Sequence, residues 1–137
     1  GQTLRTVKGW KFIDFEGEPA RPLAQRLLPD SRWRDVAGML RSFDYAPQVA
    51  AMTSLDVDPG NEAEQRAYRA AEWTRRNSDA FLDAYRAANE PSPADLLLLN
   101  AYVADKAVYE VLYEVRNRPG WELIPLQALD RLQAEEA

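Results

Sequence analysis

The chain has 137 residues, enough for one domain with a single hydrophobic core, and 22 acidic against 17 basic residues give a net charge of −5. It contains no cysteine and no histidine, which excludes disulfides, thiolate or histidine-ligated zinc and a Ser-His-Asp triad. The acidic balance argues against nucleic acid as a partner. Because no apolar run is long enough for a membrane and residues 1–5 do not look like a signal peptide, we expect a cytoplasmic protein without a membrane partner.

The first part of the chain predicts a β-hairpin. Residues 2–7 and 10–15 alternate loosely between apolar and polar side chains around Lys8-Gly9, a pair suited to a short turn. Pro19, Pro22 and Pro29 then predict an extended crossing segment over residues 17–32, since proline disfavours a helix interior and a central strand.

Two helices are predicted next. Asp30 or Ser31 is a suitable cap for a helix that runs to about Tyr45, because apolar residues recur with helical spacing at positions 36, 39, 40 and 43. Residues 53–60 are predicted to form a loop. An alanine-rich helix is then expected from Asn61 to about Asn89.

Two further helices complete the predicted fold. Ser92 is a suitable N-cap, Pro93 fits the first helical position, and Asp95 is placed to complete a capping box. We expect this helix to end near Asn117 and a last short helix to open at Pro125. The predicted fold class is therefore α+β and mostly α, with one hairpin followed by about four helices.

An acidic cluster follows the hairpin, at Asp14, Glu16 and Glu18. Magnesium prefers hard oxygen ligands, so carboxylates at the end of a strand form a candidate metal site. The alternative is an acidic turn that binds nothing, and the spacing alone does not decide between the two. Calcium loops starting at Asp14 or Asp56 lack the required glycine and glutamate, which excludes an EF-hand.

The helix predicted over residues 93–117 has two different faces. One face is apolar and is expected to face the core; it consists of Val108, Val111, Leu112 and Val115. The other mixes aromatic and charged side chains, with Arg116 at its edge: Lys106, Tyr109, Glu110, Tyr113 and Asn117. Such a mixture suits a sugar, whose apolar face stacks on rings and whose hydroxyls bond to charged groups. The alternative is an ordinary solvated face.

Four other residues attract attention in the sequence. Asp35 lies in the first turn of its predicted helix, where an acid interacts favourably with the helix dipole. Trp33, Trp73 and Trp121 are interpreted as core or interface residues rather than ligand platforms.

Three segments together, GQTLRT…GWKFIDFEGEP, WRDVAGMLRSFDY and DKAVYEVLYEVRNRP, resemble the C-terminal portion of actinobacterial maltokinases. These enzymes belong to the aminoglycoside-phosphotransferase-like, eukaryotic-kinase-like sugar kinases. The related glucosamine kinases share much of the first two segments. The resemblance implies that residues 1–137 form the C-terminal part of a kinase-like C-lobe, with the N-lobe and the catalytic loop upstream.

The resemblance also implies roles for the residues near the hairpin. Gln2 matches the position whose amide oxygen binds magnesium, Asp14 matches the metal-binding acid after the strand, and Glu16 is the adjacent acid. Asp35 matches an acid that braces the catalytic loop. Glu18 is left as a turn residue.

On the long helix, the resemblance places five residues in a maltose pocket: Lys106, Tyr109, Glu110, Tyr113 and Arg116. It places no catalytic residue within this chain, since the catalytic aspartate is expected upstream of Gly1. The isolated chain is therefore not expected to catalyse by itself.

The implied activity is ATP-dependent phosphorylation of maltose to maltose 1-phosphate, which feeds glycogen and α-glucan synthesis. Mg²⁺ is the implied cofactor, ATP bound through the N-lobe is the co-substrate, and trehalose synthase or other α-glucan enzymes are the implied protein partners. One alternative is a kinase for another sugar such as glucosamine. Another is a non-catalytic kinase-like module that binds carbohydrate or protein.

Overall fold

The computed structural model describes residues 2–15, 17–19, 21–53 and 62–136. In chain order its elements are β1 Thr3–Thr6, β2 Gly9–Phe12, α1 Leu23–Arg26, α2 Trp33–Thr53, α3 Glu62–Asn89, α4 Pro93–Asn117 and α5 Leu123–Glu136. The predicted mostly helical α+β class is confirmed, with five helices rather than about four. Most of the loop predicted over residues 53–60 lies outside the described residues. None of the helices described here is long and apolar enough to cross a membrane.

The hairpin is shorter than predicted, and its turn lies one residue earlier. β1 and β2 pair antiparallel from Thr3 opposite Phe12 to Thr6 opposite Gly9, so Val7 and Lys8 form the turn. Gly9 follows the turn at a φ of 109°, a conformation that favours glycine. The Thr6 hydroxyl donates to the Gly9 carbonyl at 2.8 Å and accepts from the Lys8 amide at 3.2 Å, which closes the turn.

The crossing segment is not extended throughout, because α1 forms one helical turn within it. Pro22 directly precedes this turn, where its missing amide hydrogen costs no helical bond. The prolines therefore delimit the turn rather than prevent it.

Helix α2 continues to Thr53, eight residues beyond the predicted end at Tyr45. Pro47 lies inside it and has no amide hydrogen to donate to the carbonyl of Phe43. The hydroxyl of Thr74 on α3 donates to that carbonyl at 3.2 Å. The contact with α3 satisfies the acceptor that proline leaves open, which explains why the helix passes through Pro47.

Helix α4 begins and ends at the predicted residues, Pro93 and Asn117, and the predicted capping box is present. The Ser92 hydroxyl accepts from the Asp95 amide at 3.2 Å, and the Asp95 carboxylate accepts from the Ser92 amide at 2.9 Å. Helix α5 begins at Leu123, two residues before the predicted start, and Pro125 is buried in its first turn.

Helix α2 is central and packs against α3, α4 and α5. Trp33 is 1% exposed, and its indole nitrogen donates to Asp95 at 2.5 Å, which ties the starts of α2 and α4 together. The interpretation of Trp33 as a core residue is confirmed. The main hydrophobic cluster consists of Trp33, Val36, Ala37 and Leu99, with partly buried Leu40, Phe81, Leu82, Tyr85, Tyr102 and Val103 packed on it.

The prediction that the apolar face of α4 lies in the core is wrong. Val108, Leu112 and Val115 are 50%, 55% and 57% exposed, and it is the opposite side of the helix that contacts α2. The buried positions of α4 are Leu99, Ala107 and Glu114. Trp73 is also 43% exposed, although its ring packs edge-on against Phe43.

Candidate functional site

A cleft forms where the end of the hairpin and residues 17–19 meet α2 and α4. It contains two cavities of about 580 and 530 Å³, here called the first and second cavities. The first extends toward Phe81 and Tyr85 of α3, and the second toward Tyr45 and Trp121. Six residues line both: Gln2, Asp14, Glu18, Pro19, Lys106 and Tyr109.

The hairpin brings Gln2 close to Asp14. The Ile13 amide donates to the Gln2 carbonyl at 3.0 Å, so antiparallel pairing continues one step beyond the strands. Asp14 then adopts a left-handed φ of 71°, which aspartate tolerates better than most residues. The backbone thus holds both candidate metal ligands at the same edge of the cleft.

Helix α2 leaves space for the Gln2 side chain at Gly38. A Cβ added to Gly38 would lie 3.3 Å from Gln2 Nε2, 3.5 Å from Gln2 Oε1 and 3.7 Å from Lys106 Cε. Any side chain at position 38 would therefore press against the amide. The absence of a side chain at Gly38 thus leaves room for the Gln2 amide, a feature that the sequence pattern did not indicate.

Gln2 and Asp14 supply an amide oxygen and a carboxylate, which are ligands that magnesium accepts. Within the described ranges, no group of three or more acidic residues is arranged to hold a metal ion. Glu16, the third predicted ligand, lies outside those ranges. The donor set therefore fits a magnesium ion that takes its remaining ligands from water and nucleotide phosphates, as magnesium commonly does.

Glu18 does more than form a turn, contrary to expectation. Lys106 Nζ donates to its carboxylate, and both side chains are 19% exposed. This ion pair joins the segment after the hairpin to α4. It also places both residues on the walls of both cavities.

Most of the predicted sugar face of α4 lines the second cavity. Tyr109 and Tyr113 stack with ring centroids 6.3 Å apart and an interplanar angle of 24°, and Glu110 lies beside them. Arg116 is exposed and lines neither cavity, so the structure does not bring it together with the other predicted residues. The face suits a sugar ring, with aromatic surface and a carboxylate on one wall.

Behind Glu110 lies a buried ionic network that sequence reasoning missed. Arg41 Nε donates to Glu110 Oε2 at 2.8 Å, and Arg41 Nη1 donates to Asp44 at 2.6 Å. Burial raises the pKa of Glu110 above its ordinary value, while the charge of Arg41 opposes that shift. Burial lowers the pKa of Arg41, but the negative charges of Glu110 and Asp44 together have the larger effect, and the pKa of Arg41 is raised overall. Arg41 and Asp44, two charges three residues apart on a largely apolar helix, were the available signal.

A second buried acid closes the far end of the second cavity. Glu114 is 1% exposed and accepts hydrogen bonds from the Tyr45 hydroxyl at 3.0 Å and from Arg118 Nε at 2.8 Å. Burial, followed by Glu110 and Glu114, raises the pKa of Tyr45, so its hydroxyl stays protonated. The Arg118 guanidinium also lies 4.4 Å from the ring centroid of Trp121.

Asp35 lies in the first turn of α2, as predicted, and is an exposed residue on the wall of the first cavity. Its predicted contact with a catalytic loop involves residues outside this chain, so that role stays a prediction.

No protein-family model matches the chain. A glucosamine kinase from Streptacidiphilus jiangxiensis is 36% identical over 139 residues, which cover 98% of this chain and 30% of that protein. A glucosamine kinase from Mycolicibacterium smegmatis (strain ATCC 700084 / mc(2)155) is 27% identical over 136 residues, covering 98% of this chain and 33% of that protein.

Solved structures agree with the sequence relatives. Glucosamine kinase in complex with glucosamine, ADP and inorganic phosphate matches with a TM-score of 0.77 and 31% identity, covering 99% of this chain and 33% of that one. Glucosamine kinase in crystal form A matches with a TM-score of 0.75 and 32% identity, covering 100% of this chain and 34% of that one. This chain has the fold of one part of a glucosamine kinase. It spans about a third of the length of the curated relatives it matches.

These matches confirm the kinase-like fold but not the maltokinase resemblance in particular. The proteins found are glucosamine kinases, so the alternative sugar fits the comparisons better than maltose does. The metal-binding and sugar-binding roles of individual residues stay predictions.

Proposed function

We propose that this chain is part of an ATP-dependent sugar kinase that transfers the terminal phosphoryl group of ATP to glucosamine. One observation carries the proposal. Gln2 and Asp14, the candidate metal ligands, line the same two cavities as Lys106 and Tyr109 of the candidate sugar face. A phosphoryl donor and a sugar acceptor bound to these groups would therefore be neighbours, as an in-line transfer requires.

At the nucleotide end, Gln2 and Asp14 are the residues of this chain that would hold Mg²⁺ against the phosphates. Bound magnesium would neutralise negative charge on the phosphoryl group during transfer. The contribution of the protein is to fix both oxygens in place, through the Ile13–Gln2 hydrogen bond and the space above Gly38.

At the sugar end, the second cavity combines the rings of Tyr109 and Tyr113 with the Glu110 carboxylate. One oxygen of that carboxylate, Oε1, accepts no hydrogen bond from the residues that the structure describes and is not fully buried. Such an acceptor favours a protonated amino sugar over a neutral sugar. This supports glucosamine over maltose as the acceptor.

The exposed apolar residues of the hairpin support a larger parent protein. Leu4, Trp10 and Phe12 are 52%, 67% and 54% exposed, which is costly for side chains of this size in water. The relatives carry about twice as much additional chain as the part matched here. We place the catalytic aspartate and most of the nucleotide site in that additional chain.

The proposal is tested with Asp14→Asn in the full-length protein. Asparagine tolerates the left-handed backbone at this position, so folding should be retained. We expect kcat for glucosamine phosphorylation to fall by about 100-fold or more, because one oxygen ligand loses its charge. The KM for glucosamine should change little.

The matched control is Asp79→Asn, which removes an exposed carboxylate on α3 that lies 3.5 Å from Arg75 and far along the chain from the candidate ligands. Its activity should equal that of the wild type. A near-normal kcat for Asp14→Asn would show that Asp14 is not a metal ligand. Absence of transfer to glucosamine by the wild type would contradict the proposed function itself.

A further inference from the structure

We propose that Arg41 is a positioning residue that holds the Glu110 carboxylate at the wall of the second cavity, ready to accept a hydrogen bond from the sugar. Asp44 and Arg131 form a supporting layer that fixes Arg41. The sugar-binding part of this inference rests on the proposed function.

The geometry of the pair leaves one carboxylate oxygen available. Arg41 Nε donates to Oε2 of Glu110 at 2.8 Å, and Nη2 lies 2.8 Å from the same oxygen without the geometry of a hydrogen bond. Oε1 of Glu110 accepts no hydrogen bond from the described residues. It is not fully buried, so it remains accessible. Arg41 thus binds the carboxylate by one oxygen and leaves the other for a ligand in the cavity.

Arg41 is itself held from the opposite side. Its side chain is 3% exposed, and Nη1 lies 2.6 Å from Asp44, whose side chain is 8% exposed. Arg131 on α5 donates to both oxygens of Asp44 at 2.7 Å. A planar guanidinium between two carboxylates has little rotational freedom, so α5 contributes indirectly to the direction of Glu110.

The other charges near Glu110 do not replace Arg41. Lys106 attracts the carboxylate, but its ammonium group already pairs with Glu18, which in turn repels Glu110. On α2, Tyr45 stays protonated and carries no charge. Without Arg41, Glu110 would therefore be an insufficiently paired acid in a largely buried position.

A purely structural ion pair predicts a different outcome. Replacing a buried ion pair by apolar groups is often neutral for stability, and breaking one half mainly destabilises the fold. A positioning role predicts in addition that the ionisation of Glu110 and the binding of the sugar change together. These two readouts separate the explanations.

The test is Arg41→Met in the full-length protein, with kcat/KM for glucosamine measured against pH at saturating ATP. We expect the acid limb to move to higher pH by about one unit, because the charge that stabilises the ionised Glu110 is gone. The KM for glucosamine should rise about 10-fold, with the KM for ATP unchanged. Arg41→Lys should recover part of the loss, since one ammonium cannot reach both carboxylates as a guanidinium does.

Two comparison variants sharpen the test. Arg131→Met should produce a smaller change in the same direction, because it acts on Arg41 only through Asp44. Arg75→Met, on the exposed surface of α3, should leave the pH profile unchanged. An acid limb and a glucosamine KM equal to those of the wild type in Arg41→Met would overturn the proposal.

A second measurement separates this inference from the proposed function. The side-chain carboxyl of Glu110 is followed by carbon-13 NMR against pH in wild type, Arg41→Met and Arg41→Lys, with the signal assigned by its loss in Glu110→Gln. If the wild type does not phosphorylate glucosamine, the proposed function fails. An unchanged Glu110 titration in Arg41→Met would overturn the positioning role, whether or not the enzyme is active.

Discussion

The amide nitrogen of Ile13 donates a 3.0 Å hydrogen bond to the carbonyl oxygen of Gln2. This bond extends the hairpin register by one pair beyond Thr3 and Phe12, so two residues far apart in sequence lie side by side. Asp14 follows immediately. The candidate metal pair therefore depends on strand register, and a slip of one residue would turn the side chains to the opposite face.

Gly38→Ala should change the magnesium requirement of the kinase without lowering the free energy of unfolding. The added Cβ would lie 3.3 Å from the Gln2 amide nitrogen, so the Gln2 side chain would have to move by a few tenths of an ångström. Since alanine is favoured over glycine within a helix by about 1 kcal/mol, the free energy of unfolding should not fall. We expect a higher magnesium concentration for half-maximal kinase activity, measured by titration at fixed ATP. An unchanged magnesium requirement would show that Gln2 is not a ligand.

Lys106→Met and Glu18→Gln test the ion pair that joins residues 17–19 to α4. Both side chains are largely buried, so the two substitutions should not be additive. We expect a coupling free energy of about 1 kcal/mol in a double-mutant cycle, measured by urea unfolding. Additive effects would mean that the two groups do not interact in solution.

Ser92→Ala should destabilise α4 by removing its N-cap. The hydroxyl accepts the amide hydrogen of Asp95, which otherwise lacks a partner within the helix. We expect the free energy of unfolding to fall by about 1 kcal/mol, measured by urea denaturation. Ser92→Thr, which keeps a hydroxyl, is the matched control and should lose much less.

Tyr102→Phe should change stability in a pH-dependent way. The Tyr102 hydroxyl donates to Asp30, and this bond, together with the Ser31 amide, holds the pKa of Asp30 below its ordinary value. A lowered pKa contributes stability above the ordinary aspartate value of about 4, and that contribution is lost as the pH falls through the folded-state pKa. The variant should therefore melt below the wild type at about pH 6 and approach it under strongly acidic conditions. A constant difference at all pH values would contradict this assignment.

Local sequence signals predicted α4 to the residue. Ser92, Pro93 and Asp95 specify a helix start through bonds within one turn, and the following Pro119-Gly120 limits its end. The start and end of α4 can therefore be predicted from neighbouring residues alone, without knowledge of the tertiary structure.

The end of α2 was missed because its cause is not local. Pro47 favours a helix end, but the hydroxyl of Thr74, 31 residues after Phe43, donates to the Phe43 carbonyl that proline leaves without a helical partner. Tertiary contact overrides the local preference here.

The two faces of α4 were correctly separated, but the apolar face was wrongly assigned to the core. Helical periodicity groups Val108 with Leu112 and Tyr109 with Tyr113, but it does not specify which group meets α2. The structure places Glu110 and Glu114 against Arg41 and Tyr45 of α2, a pairing of charges that hydrophobicity alone cannot predict. Four of the five sugar candidates line the second cavity, since they lie on that same side of α4, and their roles stay predictions: Lys106, Tyr109, Glu110 and Tyr113.

The central claim is tested most directly by a coupled assay of ATP consumption by the full-length protein, with glucosamine and maltose as separate acceptors at equal concentration. We expect turnover with glucosamine to exceed turnover with maltose by at least about 10-fold, as the Glu110 carboxylate on the wall of the second cavity favours a protonated amine. Phosphorylation of maltose but not of glucosamine would contradict the proposed substrate and favour a maltose kinase. Absence of magnesium-dependent ATP consumption with either sugar would contradict the assignment as a kinase for these sugars.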